Sequence, residues 1–199
     1  KTENRLLKRG FDIFFSVLFL ILIGIWIFPL IGLIIKLTSK GPIFFKQERW
    51  GINNKKIICY KFRSMFKESS DLDEEGRYNQ AQKDDPRITL IGKILRKTNM
   101  DELPQFWNVL IGEMSVVGPR PHMLKHTEEY RQTISKFLVR HYAKPGITGW
   151  AQINGRDDIS IEKKVELEQE YLNKRSTFLD IEIIIKTFTN VLFSKGVSH

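Results

Sequence analysis

A chain of 199 residues with 42% hydrophobic content is long enough for one sizeable domain and too apolar to be disordered. Its 32 Lys and Arg outnumber 23 Asp and Glu, a net charge of +9. That excess selects anionic partners (phosphates, acidic lipids or nucleic acid) without choosing among them. Cys59 is the only cysteine, so an internal disulfide is excluded and no oxidising compartment is demanded.

Position 1 is not Met and no small-residue cleavage site follows the first apolar run, which predicts a trimmed or truncated start rather than a signal peptide and leaves a preceding domain an open question. From Ile13 to Ile35 no charged residue occurs, a run of about 23 residues against the roughly 20 that span a bilayer as a straight helix. A soluble core helix of that length would normally keep a polar face. Lys1, Arg5, Lys8 and Arg9 precede the run and Lys36, Lys40, Lys46 and Arg49 follow it, so the positive-inside rule places both ends on the cytoplasmic side. One straight span cannot satisfy both. Pro29 removes a backbone hydrogen bond, and Gly24 lies one turn earlier. A re-entrant helix over residues 1–40, broken at Gly24 or Pro29, reconciles charge and break, with Asp12 at its entry pairing Lys8 or Arg9.

Residues 41–199 are expected to form one cytoplasmic or interfacial catalytic domain. Ile43–Lys46 and Lys56–Phe62 read as strands about a Gly51-Ile52-Asn53-Asn54 turn, a small hairpin carrying Lys61 and Arg63 at its end. The polar stretch from Lys67 to Arg87, with Asp71, Asp73, Glu74 and Glu75, reads as a mobile loop. Ile91, Ile94 and Leu95 share one face of a short helix whose other face carries Lys93, Arg96 and Lys97, a pattern suited to a headgroup surface. Thr98 to Asp101 has the form of a capping box, and Pro104 is tolerated in a first turn, so a second helix is expected to start near Asp101. A strand near Met114–Val117 leads into Gly118-Pro119-Arg120-Pro121. A helix over His122–His141, a turn-rich stretch from Pro145 to Arg156 and two closing helices follow. In the last, Ile181, Ile184, Ile185, Phe188, Val191 and Leu192 form one apolar stripe, read as core in preference to membrane contact.

Asp101 and Glu102 stand where a helix N-terminus would stabilise an anion, keeping an Asp ionised as nucleophile or metal ligand and drawing phosphate oxygens to the same place. Acids also favour first turns merely as caps. Around the pair lie Lys61, Arg96 and Arg120, and phosphoryl transfer needs such cations: Arg for bidentate contact, Lys as a point charge. Mg²⁺ would complete the neutralisation with one carboxylate as ligand. His122 and His126 have the spacing of a metal pair but no adjacent Glu, so zinc is not expected. Phosphate loops of the Walker or Rossmann kind are absent from the sequence.

Several ordered motifs resemble the monotopic phosphoglycosyl transferases, or bacterial sugar transferases, which initiate bacterial glycan assembly. The match covers nearly the whole chain. It runs through Lys8-Arg9, Tyr60-Lys61-Phe62-Arg63-Ser64-Met65, Asp101-Glu102-Leu103-Pro104-Gln105, Val117-Gly118-Pro119-Arg120-Pro121 and Pro145 to Arg156. The resemblance implies an α+β, mostly helical monotopic membrane protein on the cytoplasmic face of the bacterial inner membrane. It implies transfer of sugar-1-phosphate from a UDP-sugar to polyprenyl (undecaprenyl) phosphate with release of UMP, the first membrane step of exopolysaccharide, capsule, O-antigen or glycoprotein glycan synthesis. Asp101 would hold a covalent phosphosugar with Mg²⁺ beside it. Lys61, Arg96 and Arg120 would bind phosphate, and Glu102 would act as general base or positioning residue. Family members carry Ser-Pro at the helix break, where this sequence has Gly24-Ile25 and a proline only at Pro29. Membrane lipids are expected partners, nucleic acid is not, and a homo-oligomer is left open. A basic membrane scaffold is the competing non-enzymatic reading, but it leaves the acid pair with Lys61 and Arg120 without a purpose. A nucleic-acid module is not recognisable.

Overall fold

The computed structural model of the chain describes residues 5–69, 82, 84–122, 124, 127, 130, 137–155 and 159–193. The apolar run is helical throughout: α1 (Arg5–Phe19), a π turn (Leu20–Gly24) and α2 (Ile25–Thr38). Together they make 34 residues, long and apolar enough to cross a membrane, with only 22% of the most apolar window buried in the protein. The departure from α-helical hydrogen bonding ends at Gly24, whereas Pro29 sits inside α2 without ending it. Leu22, Trp26, Leu33 and Leu37 stand exposed along the helix, which water alone would not tolerate on this scale.

Both ends of this helix hold the same body. Arg9 donates from Nη1 and Nη2 to the carbonyls of Val109 and Leu110, at 2.5 and 2.6 Å. At the other end Arg63 donates to the carbonyls of Ser39, at 2.9 Å, and Lys40. Each guanidinium thus binds carbonyls at or just past a helix C-terminus, where the negative end of the helix dipole favours a cation. Phe15 and Phe19 of α1 stack on Phe106, the latter with ring centroids 4.0 Å apart. Ile31 and Ile35 of α2 pack with Phe62 and Leu95, and Leu103 touches both clusters.

β1 (Phe44–Trp50) and β2 (Lys56–Phe62) form an antiparallel hairpin in which Phe45 faces Lys61 and Trp50 faces Lys56. β1 runs four residues past the segment expected from alternation, because Gln47, Glu48, Arg49 and Trp50 continue the ladder. α3 (Leu90–Lys97) is capped by the Thr89 hydroxyl, which accepts from the Gly92 amide at 2.9 Å. Gly92 is there for closeness: a Cβ would stand 1.9 Å from the Ser64 carbonyl oxygen. Leu95 is the buried member of the expected apolar face, while Leu90 and Ile94 stay exposed.

α4 (Gln105–Ile111) leads to β3 (Ser115–Val117), which pairs in parallel with β4 (Gly146–Thr148). α5 (Trp150–Ile153), α6 (Ile161–Lys174) and α7 (Thr177–Phe193) complete the described chain. The core joins Ile57 and Cys59 of β2, Phe106 and Val109 of α4, Val116 and Val117 of β3, Tyr171 of α6 and Ile183 of α7.

Two expectations fail here. The α7 stripe is not core: Ile184 is buried, but Ile181, Ile185, Phe188 and Val191 are exposed, because α7 turns Asp180, Ile183 and Ile184 inward. Hydrophobic periodicity locates an apolar stripe but does not say what it faces. The expected helix over His122–His141 holds at the described residues Leu124, Thr127 and Tyr130 but not to its stated bounds: His122 is not helical, Phe137–Tyr142 is a 3₁₀ segment, and most of the interior, including His126, lies outside the described residues. So do the acidic cluster Asp71, Asp73, Glu74 and Glu75 and the side chain of Leu192, as well as Arg156.

Candidate active site

The acid pair does not open a helix. Thr98 closes α3 instead, its hydroxyl donating to the carbonyls of Ile94 and Leu95 at 2.8 and 3.2 Å. Asn99 then takes a left-handed conformation (φ 57°, ψ 17°) and reverses the chain into a 3₁₀ turn, Met100–Glu102. Asn tolerates that region better than most residues. α4 begins only at Gln105, with Pro104 at its cap position. The α4 N-terminus therefore lies about a turn beyond Asp101. Burial pushes the Asp101 carboxyl above its usual range; Lys61 opposes this, and the adjacent Glu102 carboxylate reinforces it.

The two acids differ in their bonding. Glu102 Oε1 accepts from Lys61 Nζ at 2.8 Å and from Arg120 Nη2 at 3.2 Å. Asp101, 9% exposed, receives no hydrogen bond among the described residues, although Lys61, Arg96 and Arg120 all lie close enough to act on its charge. Among the described residues its lone pairs meet no donor, inside a field set by three cations.

Each cation is held by its own element. Lys61 comes from β2, one residue before the strand ends. Arg96, in the last turn of α3, donates Nε to Ser64 Oγ at 2.9 Å, which orients its remaining nitrogens. Arg120 follows β3, and its loop is fixed from behind: the Pro119 carbonyl accepts from Gly146 at 2.8 Å, and the Arg120 carbonyl from Arg140 Nη2 at 2.8 Å. Gly118 and Gly146 let the two chains touch, since a Cβ on Gly146 would stand 2.1 Å from the Gly118 nitrogen. Asn108 of α4 fastens the floor: it accepts from the Tyr60 amide at 3.1 Å and donates to the Ile58 carbonyl at 2.6 Å and Glu113 at 2.9 Å.

The structure thus brings together Asp101, Glu102, Lys61, Arg96 and Arg120, four of them from separate stretches of chain. Sequence reasoning missed Ser64, Asn99 and Asn108. An Asn immediately before an acid pair is a turn signal that could have revealed the reversal at Asn99. Nothing in the sequence marks Asn108 as buried.

The donor set also bears on a metal. Among the described residues no group of three or more His, Cys, Asp or Glu side chains could hold an ion, which rules against a site built wholly of protein ligands there. Mg²⁺ is commonly bound by one or two carboxylates together with substrate phosphates and water. Asp101, with no hydrogen bond among the described residues and Lys61, Arg96 and Arg120 near its charge, fits that arrangement.

Such a centre, at the root of a helix long and apolar enough to cross a membrane, is suited to phosphate-bearing ligands. The family model described as bacterial sugar transferase matches residues 3–194, and the chain belongs to that family. It is 48% identical over 189 residues to the UDP-glucose:undecaprenyl-phosphate glucose-1-phosphate transferase of Escherichia coli (strain K12), covering 92% of this chain and 40% of that protein. It is 39% identical over 198 residues to the UDP-N-acetylgalactosamine-undecaprenyl-phosphate N-acetylgalactosaminephosphotransferase of Aeromonas hydrophila, covering 96% of this chain and 44% of that protein. The uncharacterized sugar transferase EpsL of Bacillus subtilis (strain 168) is 41% identical over 194 residues, 98% of this chain and 91% of EpsL. The chain thus spans less than half the length of the first two relatives and most of the third.

Proposed function

We propose that this chain transfers sugar-1-phosphate from a UDP-sugar to polyprenyl phosphate at the cytoplasmic face of the bacterial inner membrane, through a covalent phosphosugar on Asp101. The observation that carries the reading is the contrast between the two acids: Glu102 is bound by Lys61 and Arg120, while Asp101 keeps its lone pairs free amid the same cations. An Asp101 carboxylate oxygen attacks the β-phosphorus of the donor, the bond from that phosphorus to the bridging oxygen breaks, and UMP leaves with the bond's electrons. A phosphate oxygen of the polyprenyl acceptor then attacks the same phosphorus and releases Asp101. Lys61, Arg96 and Arg120 offset the negative charge of the phosphoryl oxygens in both steps. Glu102 serves as the positioning residue that holds Lys61 and Arg120 at the centre. Mg²⁺, bound by Asp101 and substrate phosphate, would supply further charge neutralisation.

The helix Arg5–Thr38 is read as re-entrant. Its first turns and its C-terminus are both tied to one body, by Arg9 and by Arg63, which supports a reading with both ends on the same side of the bilayer. The exposed apolar faces of α3 and α7 add surface for the interface. The relatives' names differ in their sugar, glucose in one and N-acetylgalactosamine in another, so the sugar is left as the variable to screen.

Incubation with the accepted UDP-sugar and Mg²⁺, without lipid acceptor, should release about one UMP per enzyme and then stall, as a covalent first half-reaction requires. A phosphosugar adduct should map to the peptide containing Asp101. An enzyme that turns over with acceptor yet shows neither burst nor adduct would instead mean direct attack by the lipid phosphate. For topology, cysteines replacing Arg5 and Lys40 in a Cys59→Ser background should label from the same side. Labelling from opposite sides defeats the re-entrant reading.

A further inference from the structure

The face that α6 turns inward carries two polar side chains, and both bond to one short stretch of main chain. Glu168 and Tyr171 lie three residues apart on that face, 3% and 2% exposed. The Tyr171 hydroxyl donates to the Val117 carbonyl at 3.2 Å, where β3 ends. Three residues on, the amide of Arg120 stabilises the Glu168 carboxylate by a backbone hydrogen bond. Arg140, from the 3₁₀ segment, takes the other side of the same residue: its Nη2 donates to the Arg120 carbonyl at 2.8 Å and to Glu168 Oε1 at 2.6 Å. Arg120 is thus gripped by its own N–H and C=O, between the two halves of a buried ion pair.

Stability alone does not call for such a pair. Arg140 is as buried as Glu168, and replacing a buried ion pair by apolar residues of similar volume is often neutral or stabilising. Arg140 Nη1 and Glu168 Oε2 also lack partners among the described residues, which adds to the cost of keeping the charges. The guanidinium is seated over the ring of the fully buried Phe137, 5.0 Å from its centroid, which fixes it against the Arg120 carbonyl.

The other end of Arg120 is held differently. Its guanidinium is a third exposed and meets Glu102 at 3.2 Å, long for a charged pair. The main chain is fixed while the head is accessible to an incoming phosphate. A group that stabilises developing charge needs both, a set origin and an available fork. A displacement of about 1 Å at such a group can cost on the order of 10²-fold in rate.

We propose that Arg140 and Glu168 are positioning residues of the transfer reaction: their ion pair holds the Arg120 peptide, and through it the guanidinium, at the acid pair. The inference rests on the phosphate role given to Arg120 above and extends it to two residues that act through Arg120.

The test uses the full chain in lipid nanodiscs, with UMP release from the accepted UDP-sugar as the assay. Arg140→Met/Glu168→Leu removes both charges together and strands neither, so the protein should stay folded, which thermal unfolding checks. Its kcat/KM should fall about tenfold to a hundredfold, chiefly through kcat. In an Arg120→Ala background the same two changes should alter kcat/KM by less than about twofold, because no guanidinium is left to misplace. A merely structural pair lowers activity by the same factor in both backgrounds. That result overturns the proposal, as does a folded double variant with wild-type kcat/KM, and either leaves the transfer reaction standing. A second measurement needs no variant. Pro119 and Pro121 leave Arg120 as the only amide between residues 118 and 122, so overlapping peptides in hydrogen-exchange mass spectrometry isolate it. In the wild-type enzyme it should be as protected as the Gly118 amide, which donates to the Thr148 carbonyl at 2.9 Å. Rapid exchange at Arg120 overturns the clamp even if every variant misfolds. Full turnover in Arg120→Ala overturns both the proposal and the phosphate role of Arg120, and a protected amide then leaves the pair a fastening only.

Discussion

The chain contains two clusters in which a lysine sits against carboxylates, and they are built to opposite ends. At the root of α1, Lys8 Nζ stands 2.9 Å from both Asp12 and Asp180. Asp12 also accepts from Ser115 Oγ and the Val116 amide, each at 3.0 Å, and Asp180 accepts from Tyr171 at 2.8 Å. Asp12 and Asp180 are 2% and 0% exposed, and burial pushes the Asp180 carboxyl up against the pull of Lys8. That cluster is closed: it welds the apolar helix to β3 and α7. At the candidate active site three cations meet two carboxylates, the cations come from separate elements, and one acid receives no hydrogen bond among the described residues. Closure marks a fastening, and a surplus of charge with free lone pairs marks a site awaiting a ligand. The two are also mechanically linked, because Asp12 holds the strand that leads to Arg120, and Arg9 holds the end of the helix that follows the acid pair.

Substitution should separate the clusters cleanly. The largest effect is expected for Asp101→Asn, which should lower turnover by about 10³-fold or more, the scale of losing a nucleophile, and leave thermal stability unchanged or raised, since burial penalises the charge. A fall in stability there would erase the distinction. Asp12→Ala should do the reverse. It strands the β3 donors, leaves Lys8 only Asp180 as a partner, and should cost about 3–5 kcal/mol of unfolding free energy, read from urea melts of the detergent-solubilised protein. Full stability with lost activity would make the α1 cluster part of the site.

Arg120→Lys keeps the charge but loses the fork, and should lower kcat/KM by about tenfold to a hundredfold, corresponding to one charge-assisted bond of about 1.5–3 kcal/mol. Arg9→Ala removes a cation from the α4 C-terminus and should cost about 1–2 kcal/mol, with activity falling only as far as the folded fraction does. A larger loss in kcat would show that the α4 anchor also tunes the acid pair. The smallest effect is a silent residue: burial pushes the Cys59 thiol up to about 11, so it stays un-ionised between pH 7 and 9. Its folded value lies above the ordinary thiol, so the reactive thiolate emerges only well above pH 9 or on unfolding. Iodoacetamide should leave it intact in native protein across that range, and modification at pH 8 without denaturant would mean that β2 opens.

Much of the site was legible from residue order because its chemistry is local in kind. An acid pair after a capping signal, a cation after an apolar strand and an arginine between prolines each carry a signal that does not depend on what packs against them. Length and charge likewise marked the apolar helix, and alternation marked the hairpin. What those patterns could not supply was direction. The α7 stripe is apolar whether it faces core or lipid, and only the inward turn of Asp180 and Ile183 left Ile185 and Phe188 outside. Thr98 suits a cap on either of two helices, and its hydroxyl went to the helix behind it because Asn99 reverses the chain. The unequal bonding of Asp101 and Glu102 was decided entirely by tertiary structure. Adjacent carboxylates are equivalent as sequence, and they become distinct once Lys61 and Arg120, 41 and 18 residues away, converge on one of them. Long-range convergence is set by the packing of β2, β3 and α4 around a shared core, which no local propensity encodes.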